Sequence, residues 1–120
     1  MRSEIPMTRL HELARGPRVR LRLARSGDRV AIRRLLDRVG GLASEFEAAR
    51  LVRSDPRHRI VICATALIDS AETLLGVGEI ELHGDPCDPR PRTYVDSALT
   101  DGLDELLANA LIGRARALAA

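Results

Sequence analysis

The 120 residues and 13.1 kDa of this chain set the scale of one small domain, since domains mostly run to about 100–150 residues. That scale argues against an ordinary two-domain enzyme with its cleft between domains. An apolar fraction of 45% beside 30% charge is a globular balance. With one Phe, one Tyr and no Trp, the core must come from Leu, Val, Ile and Ala, which argues against aromatic platforms for single-stranded nucleic acid. All 19 basic residues are Arg, so a catalytic lysine, a Schiff base and the P-loop lysine are excluded. The net charge of +2 hides a split. Residues 1–59 hold 15 Arg against 7 carboxylates, and residues 60–120 hold 4 Arg against 10. A basic half either faces an anionic partner or is a solvated Arg-rich surface.

In chain order, residues 1–17 read as an appendage, with a short helix over Thr8–Arg15 and then Gly16-Pro17 as punctuation. Residues 18–120 read as a single domain. Arg18–Ala24 alternates, which puts Val19, Leu21 and Leu23 on one face of a strand. Ser26-Gly27-Asp28 offers N-cap chemistry, and Ile32, Leu35, Leu36 and Val39 follow at helical spacing up to Gly40-Gly41. A second helix from Ser44 to about Arg53 turns Phe46 and Leu51 inward and ends at Asp55-Pro56. Ile60–Ile68 is a strand by its β-branched content, Asp69–Thr73 a turn, and Leu74–His83 the returning strand. On it Val77, Ile80 and Leu82 pack inward, and Glu79 and Glu81 face the other way. Gly76 and Gly78 mark a bulge or a close backbone approach. Gly84–Pro91 holds three prolines and is a loop, Thr93–Val95 is a short strand, and Leu103–Leu118 is a periodic helix. The order is β-α-α-β-β-β-α, an α/β (α+β) class.

That order, with Val19–Asp28 leading into Ile32–Leu36, Leu75-Gly-Val-Gly-Glu-Ile80, Val95–Leu99, Gly102-Leu103 and Ala110–Leu118, resembles the GCN5-related N-acetyltransferase (GNAT) superfamily over about residues 18–119. The resemblance implies a mainly antiparallel sheet and transfer of an acetyl group from acetyl-CoA, as co-substrate, to an amine that the sequence does not name. It implies that the Val95 amide polarises the thioester carbonyl. It also implies that Thr100, Asp101, Gly102, Leu103 and Asp104 cradle the pyrophosphate, where a helix N-terminus offers free N–H groups and a positive dipole end.

Two departures from the family bear on that expectation. The loop Thr100–Glu105 is one residue shorter, with Asp104 where a glycine is expected, so Asp101, Asp104 and Glu105 bring three carboxylates to a site for a dianion. An alternative reading makes Asp101 an N-cap with Asp104 at N3, a capping box worth about 1 kcal/mol. The usual C-terminal strands of the fold are also lacking. Thr93–Val95 would then be a sheet edge, completed by a homodimer partner or another chain.

Glu79 and Glu81, two apart on a strand, share a face. They are candidates for general base, or else two solvated strand glutamates. Tyr94, the only phenol, is a candidate acid or a packing residue, and it points to the opposite face from Val95. His83, Asp85, Cys87 and Asp88 match no strong zinc spacing, so no metal is expected. Cys63 and Cys87 form no CxxC and read as free thiols. No apolar run reaches the ~18 residues of a membrane span and no signal-peptide core is present, so the expectation is a cytoplasmic protein without membrane contact. Nucleic acid has only the Arg excess in its favour. Two functions follow from the resemblance: a GNAT-like acetyltransferase domain, or a noncatalytic GNAT-like binding or dimerisation module that has lost the pyrophosphate site.

Overall fold

The computed structural model describes residues 7, 9–40, 43–83 and 90–119. The chain folds as an α+β unit. One sheet runs in the order β1 (Leu10–His11), β2 (Val19–Leu23), β3 (Arg59–Ile68), β4 (Ala71–Glu81) and β5 (Arg92–Val95), with every neighbouring pair antiparallel. Between β2 and β3 come a short 3-10 turn at Ser26–Asp28, α1 (Arg29–Arg38) and α2 (Ser44–Val52), and α3 (Leu103–Ala119) follows β5. The expected order holds from β2 onward.

Both faces of the sheet are covered, and the strand sequences show why. Along β3 the even positions Ile60, Ile62, Ala64 and Ala66 join Leu103, Leu107 and Leu111 in the cluster beneath α3. The odd positions Val61 and Cys63 join Ile32, Leu35, Leu36, Ala48 and Leu51 beneath α1 and α2. A strand buried on both sides reads as a continuous apolar run and not as an alternation, which is the pattern of Ile60–Ile68. Val77 packs under α1 and α2 while Ile80 packs under α3, so the two serve opposite faces. The returning strand also begins earlier than Leu74. Asp69 and Ser70 have φ of 52° and 67°, so they form a two-residue hairpin loop of type I′, and pairing starts at Ile68↔Ala71.

Gly76 and Gly78 meet both parts of the sequence expectation. A register shift at Ala64/Thr65 leaves Leu75 as the extra residue of a bulge. A Cβ on Gly76 would stand 3.0 Å from Leu103 Cδ2 and Leu107 Cδ1, and one on Gly78 would stand 2.7 Å from Leu111 Cδ1. Helix α3 therefore lies directly on the β4 backbone.

Three local expectations are corrected. The described part of the stretch expected as a helix over 8–15 holds the strand Leu10–His11, paired to Arg20 and Val19. Such a short segment takes its conformation from its partner strand, not from its own periodicity. Phe46 is 68% exposed, and Ala48 and Leu51 form the inner side of α2. At the end of α1, Val39 is half-exposed, and the chain turns through Gly40 at φ 81° with the Val39 N–H on Leu35 O.

Leu107→Ala opens the core under α3, where Leu107 is fully buried, and is expected to cost about 2–5 kcal/mol. Phe46→Ala is expected to stay within about 0.5 kcal/mol. Paired urea titrations of the two variants measure the difference. Equal losses would contradict the burial assigned to α2 and α3.

Candidate functional site

Among the described residues β5 is the last strand on its side of the sheet, so Thr93–Val95 forms the expected edge. Its register with β4 places Val95 opposite Gly76, Tyr94 opposite Val77, and Arg92 opposite Glu79. The Asp96 N–H donates to Leu75 O at 2.9 Å. Antiparallel ladders alternate bonded and non-bonded pairs, so the N–H and C=O of Thr93 and the N–H of Val95 turn away from β4 toward the open side, while Val95 O accepts the Ser97 N–H at 3.1 Å. Beside them lies an open groove of about 690 Å³, walled by Thr93–Ala98 and by Arg38–Gly40 at the end of α1. Tyr94 and Val95 both line it, although Tyr94 packs partly with the α1/α2 cluster and Val95 with the α3 cluster.

The turn from β5 into α3 is held from several sides. Asp96 O accepts the Leu99 N–H at 3.1 Å, the Thr100 N–H at 3.1 Å and the Thr100 hydroxyl at 2.9 Å. Thr100 is buried as a result. Asp101 meets the N-terminal segment. Its N–H donates to Arg15 O at 2.9 Å, and its carboxylate receives Arg15 Nε at 2.9 Å and a second guanidinium nitrogen at 3.2 Å. The same guanidinium donates to Ala98 O and Ser97 O at 3.2 and 3.0 Å. The Arg15 guanidinium holds the Asp101 carboxyl below the usual carboxylate range. Asp101 is thus no N-cap. The first intrahelical bond runs from the Leu106 N–H to Gly102 O, with Gly102 at φ 90°. Leu103 is buried against the sheet, and Asp104 and Glu105 are exposed in the first turn, where the helix dipole favours acids.

The candidate bases sit elsewhere. Glu79 and Glu81 share a face as expected, and Arg59 reaches both at 3.2 Å. That face is covered by α2, however. Glu79 is only 5% exposed, and Arg50 clasps both of its oxygens at 3.0 and 2.7 Å. Arg50 also binds Glu47, whose carboxyl it holds down. Glu79 is level with Arg92, three residues or roughly 10 Å along the strand from the level of Val95. Neither glutamate lines the groove. Of the nine candidates, Glu79 and Glu81 lie together at Arg59, Tyr94 and Val95 line the groove, and Thr100, Asp101, Gly102, Leu103 and Asp104 follow one another through the turn into α3; the fold does not bring these three groups into one site.

Sequence reasoning names Asp28 and Cys63 but not what surrounds them. Asp28 is 8% exposed and receives two guanidinium nitrogens of Arg22 at 2.7 Å and the Arg25 N–H at 2.7 Å. Its carboxyl lies below the usual range, chiefly through the Arg22 hydrogen bonds. Cys63 lies 3.9 Å from the same carboxylate, and burial first, then the Asp28 charge, pushes its thiol up to about 12. Asp28 was legible only as a capping residue, because a strand and a turn must first fold to place Arg22 over it.

The charge split has a structural meaning. Arg15, Arg22, Arg38, Arg50 and Arg59 of the basic half reach Asp101, Glu72, Asp96, Glu79 and Glu81 of the acidic half. Much of the Arg excess is therefore spent inside the molecule. His83 is exposed with Nε2 3.1 Å from Arg57 O, while Asp85, Cys87 and Asp88 lie outside the described residues. Among the described residues no group of three or more His, Cys, Asp and Glu is placed to hold a metal, and no helix is long and apolar enough to cross a membrane. No protein-family model matches this chain, and comparison with curated proteins and with solved structures returned no match.

Two outcomes test this geometry. The contribution of Asp28 is complete above about pH 4, the unfolded carboxylate value. It drains as pH falls through the lower folded value. Asp28→Asn is expected to cost about 3 kcal/mol at neutral pH and to flatten the acid limb of a pH series of thermal melts. Gly16, at φ 115°, would place a Cβ 2.6 Å from Leu99 O. Gly16→Ala is therefore expected to cost about 1–3 kcal/mol and to raise hydrogen exchange in residues 97–102. Unchanged exchange there would contradict the docking of the N-terminal segment.

Proposed function

We propose that this chain is a GNAT-like binding module, in which the β5 edge and its groove take an extended chain and the turn into α3 does not take a pyrophosphate. The element order from β2 to α3 supports the likeness. The observation that carries the binding reading is the contrast between the two ends of this site. The outward backbone of Thr93 and Val95 opens on a groove, whereas the turn is closed by Arg15 on Asp101 and on the carbonyls of Ser97 and Ala98. With Asp101 paired to Arg15, an incoming dianion would meet the Asp104 and Glu105 carboxylates in the first turn of α3, and their repulsion opposes its binding.

A second reading, acetyl-CoA-dependent transfer to an amine, is favoured by one feature. The Val95 N–H is not used in the ladder with β4 and Val95 lines the groove, which supports a donor for a thioester carbonyl there. In that case Tyr94 is the acid–base candidate beside it, since Glu79 is held by Arg50 and Arg59.

Calorimetry and thermal melts with acetyl-CoA at millimolar concentration separate the two. The module reading expects no heat and no shift. Saturable binding that disappears in Val95→Pro, which deletes that N–H while sparing the bonds to β4, would overturn it in favour of the transferase.

A further inference from the structure

We infer that the β5 edge is self-complementary and pairs, antiparallel, with the β5 edge of a second copy of this chain about a two-fold axis through Tyr94. The inference rests on the edge-binding reading above and names its partner. The residues with outward backbone groups are Thr93 and Val95, so these must form the bonded pairs of any added strand. A register that pairs Thr93 with Thr93 of the copy would set Pro91 against Val95, and Pro91 has no N–H to give. Shifting by one pair sets Thr93 against Val95 of the copy, and each such pair gives the Val95 N–H to Thr93 O and the Thr93 N–H to the lone pair of Val95 O that Ser97 N–H leaves open, about four bonds in all.

In that register Tyr94 faces its own copy, and Arg92 stands opposite Asp96 of the copy. All three lie on one face of the sheet. Tyr94 packs with the α1/α2 cluster, Asp96 is bound by Arg38 of α1, and Arg92 acts on Glu47 of α2. Opposite charges directly across a strand pair favour the match and like charges would oppose it, with the gain kept small because Asp96 is 7% exposed and already held by Arg38. The groove between β5 and the end of α1 is the space the second strand enters. The other edge of the sheet competes poorly, since β1 is two residues long.

The direct test is sedimentation equilibrium of the whole chain, with oxidative cross-linking of single-cysteine variants in a Cys87→Ser background, Cys63 being buried. A concentration-dependent dimer is expected, with dissociation in the range of ~10 µM to 1 mM that suits a small transient interface. Tyr94→Cys should form the disulfide dimer readily, because residues facing across a non-bonded pair stand within disulfide reach. Thr93→Cys should not. Arg92→Glu should weaken the dimer about 3- to 10-fold. A wild-type chain that stays monomeric at millimolar concentration overturns the inference, and so does a link through Thr93→Cys in place of Tyr94→Cys. Either result leaves the module reading standing, since that reading fails separately, by binding acetyl-CoA.

Discussion

Helix α3 rests on the β4 backbone at Gly76 and Gly78, and the position of nearly everything else follows from that contact. With no side chain between them, Leu103, Leu107 and Leu111 reach the sheet itself and close one core. The start of α3 is thereby fixed beside the end of β5, and the connection between them must turn within residues 96–102. A side chain at Gly78 would lift the helix and pull on that turn, so a packing constraint in the sheet governs the geometry of the candidate site. The bulge at Leu75 belongs to the same arrangement. It lets Leu74 serve the α1/α2 side and Leu75 the α3 side while Gly76 stays under the helix.

Charge does the work of joining the two halves of the chain. An arginine-rich segment at neutral pH normally suggests an anionic partner, but here the acidic partner is the other half of the same molecule. The pairs differ in worth. Those of Arg50 with Glu79 and of Arg22 with Asp28 are largely screened from water, and breaking one partner would strand the other. The pair of Arg15 with Asp101 is exposed, so its importance is geometric: it fixes where the N-terminal segment lies and what the α3 turn presents to a ligand. An electrostatic reading from composition alone therefore overstates the charge available to a partner.

The parts of this fold legible in the sequence are those whose signal is local. Alternation over Arg18–Ala24, helical spacing from Ile32 to Leu36 and the glycines of β4 each report a burial pattern set by neighbours along the chain. Strand β1 was not legible, because two residues carry no periodicity and their conformation comes from pairing with β2. Phe46 misled because hydrophobicity alone assigned it inward, whereas the inner side of α2 is set by Ala48 and Leu51. Glu79 was correctly placed opposite Ile80, yet what covers that face is a helix 29 residues earlier in the chain. The clasp of Arg15 on Asp101 spans 86 residues, and no spacing rule reaches so far. The site residues split the same way: edge position and shared faces followed from strand geometry, but whether each group was free or occupied depended on distant arginines.

Asp96 shows how these constraints meet at a single residue. Its N–H continues the ladder to Leu75, its carbonyl gathers Leu99 and Thr100, and its carboxylate receives Arg38. Arg38 in turn donates to Leu74 O, so α1, β4, β5 and the turn into α3 are tied at one point. A carboxylate with little exposure held by one arginine is costly to uncouple, and its cost protects the shape of the open edge. The outward aim of Thr93 and Val95 is then a consequence of the fold and not an accident of a strand end. Because the strand cannot swivel about its own axis, the groove keeps a fixed set of backbone donors and acceptors on one wall. A partner that matches their spacing gains from that rigidity, since little ordering of this chain remains to be done on binding.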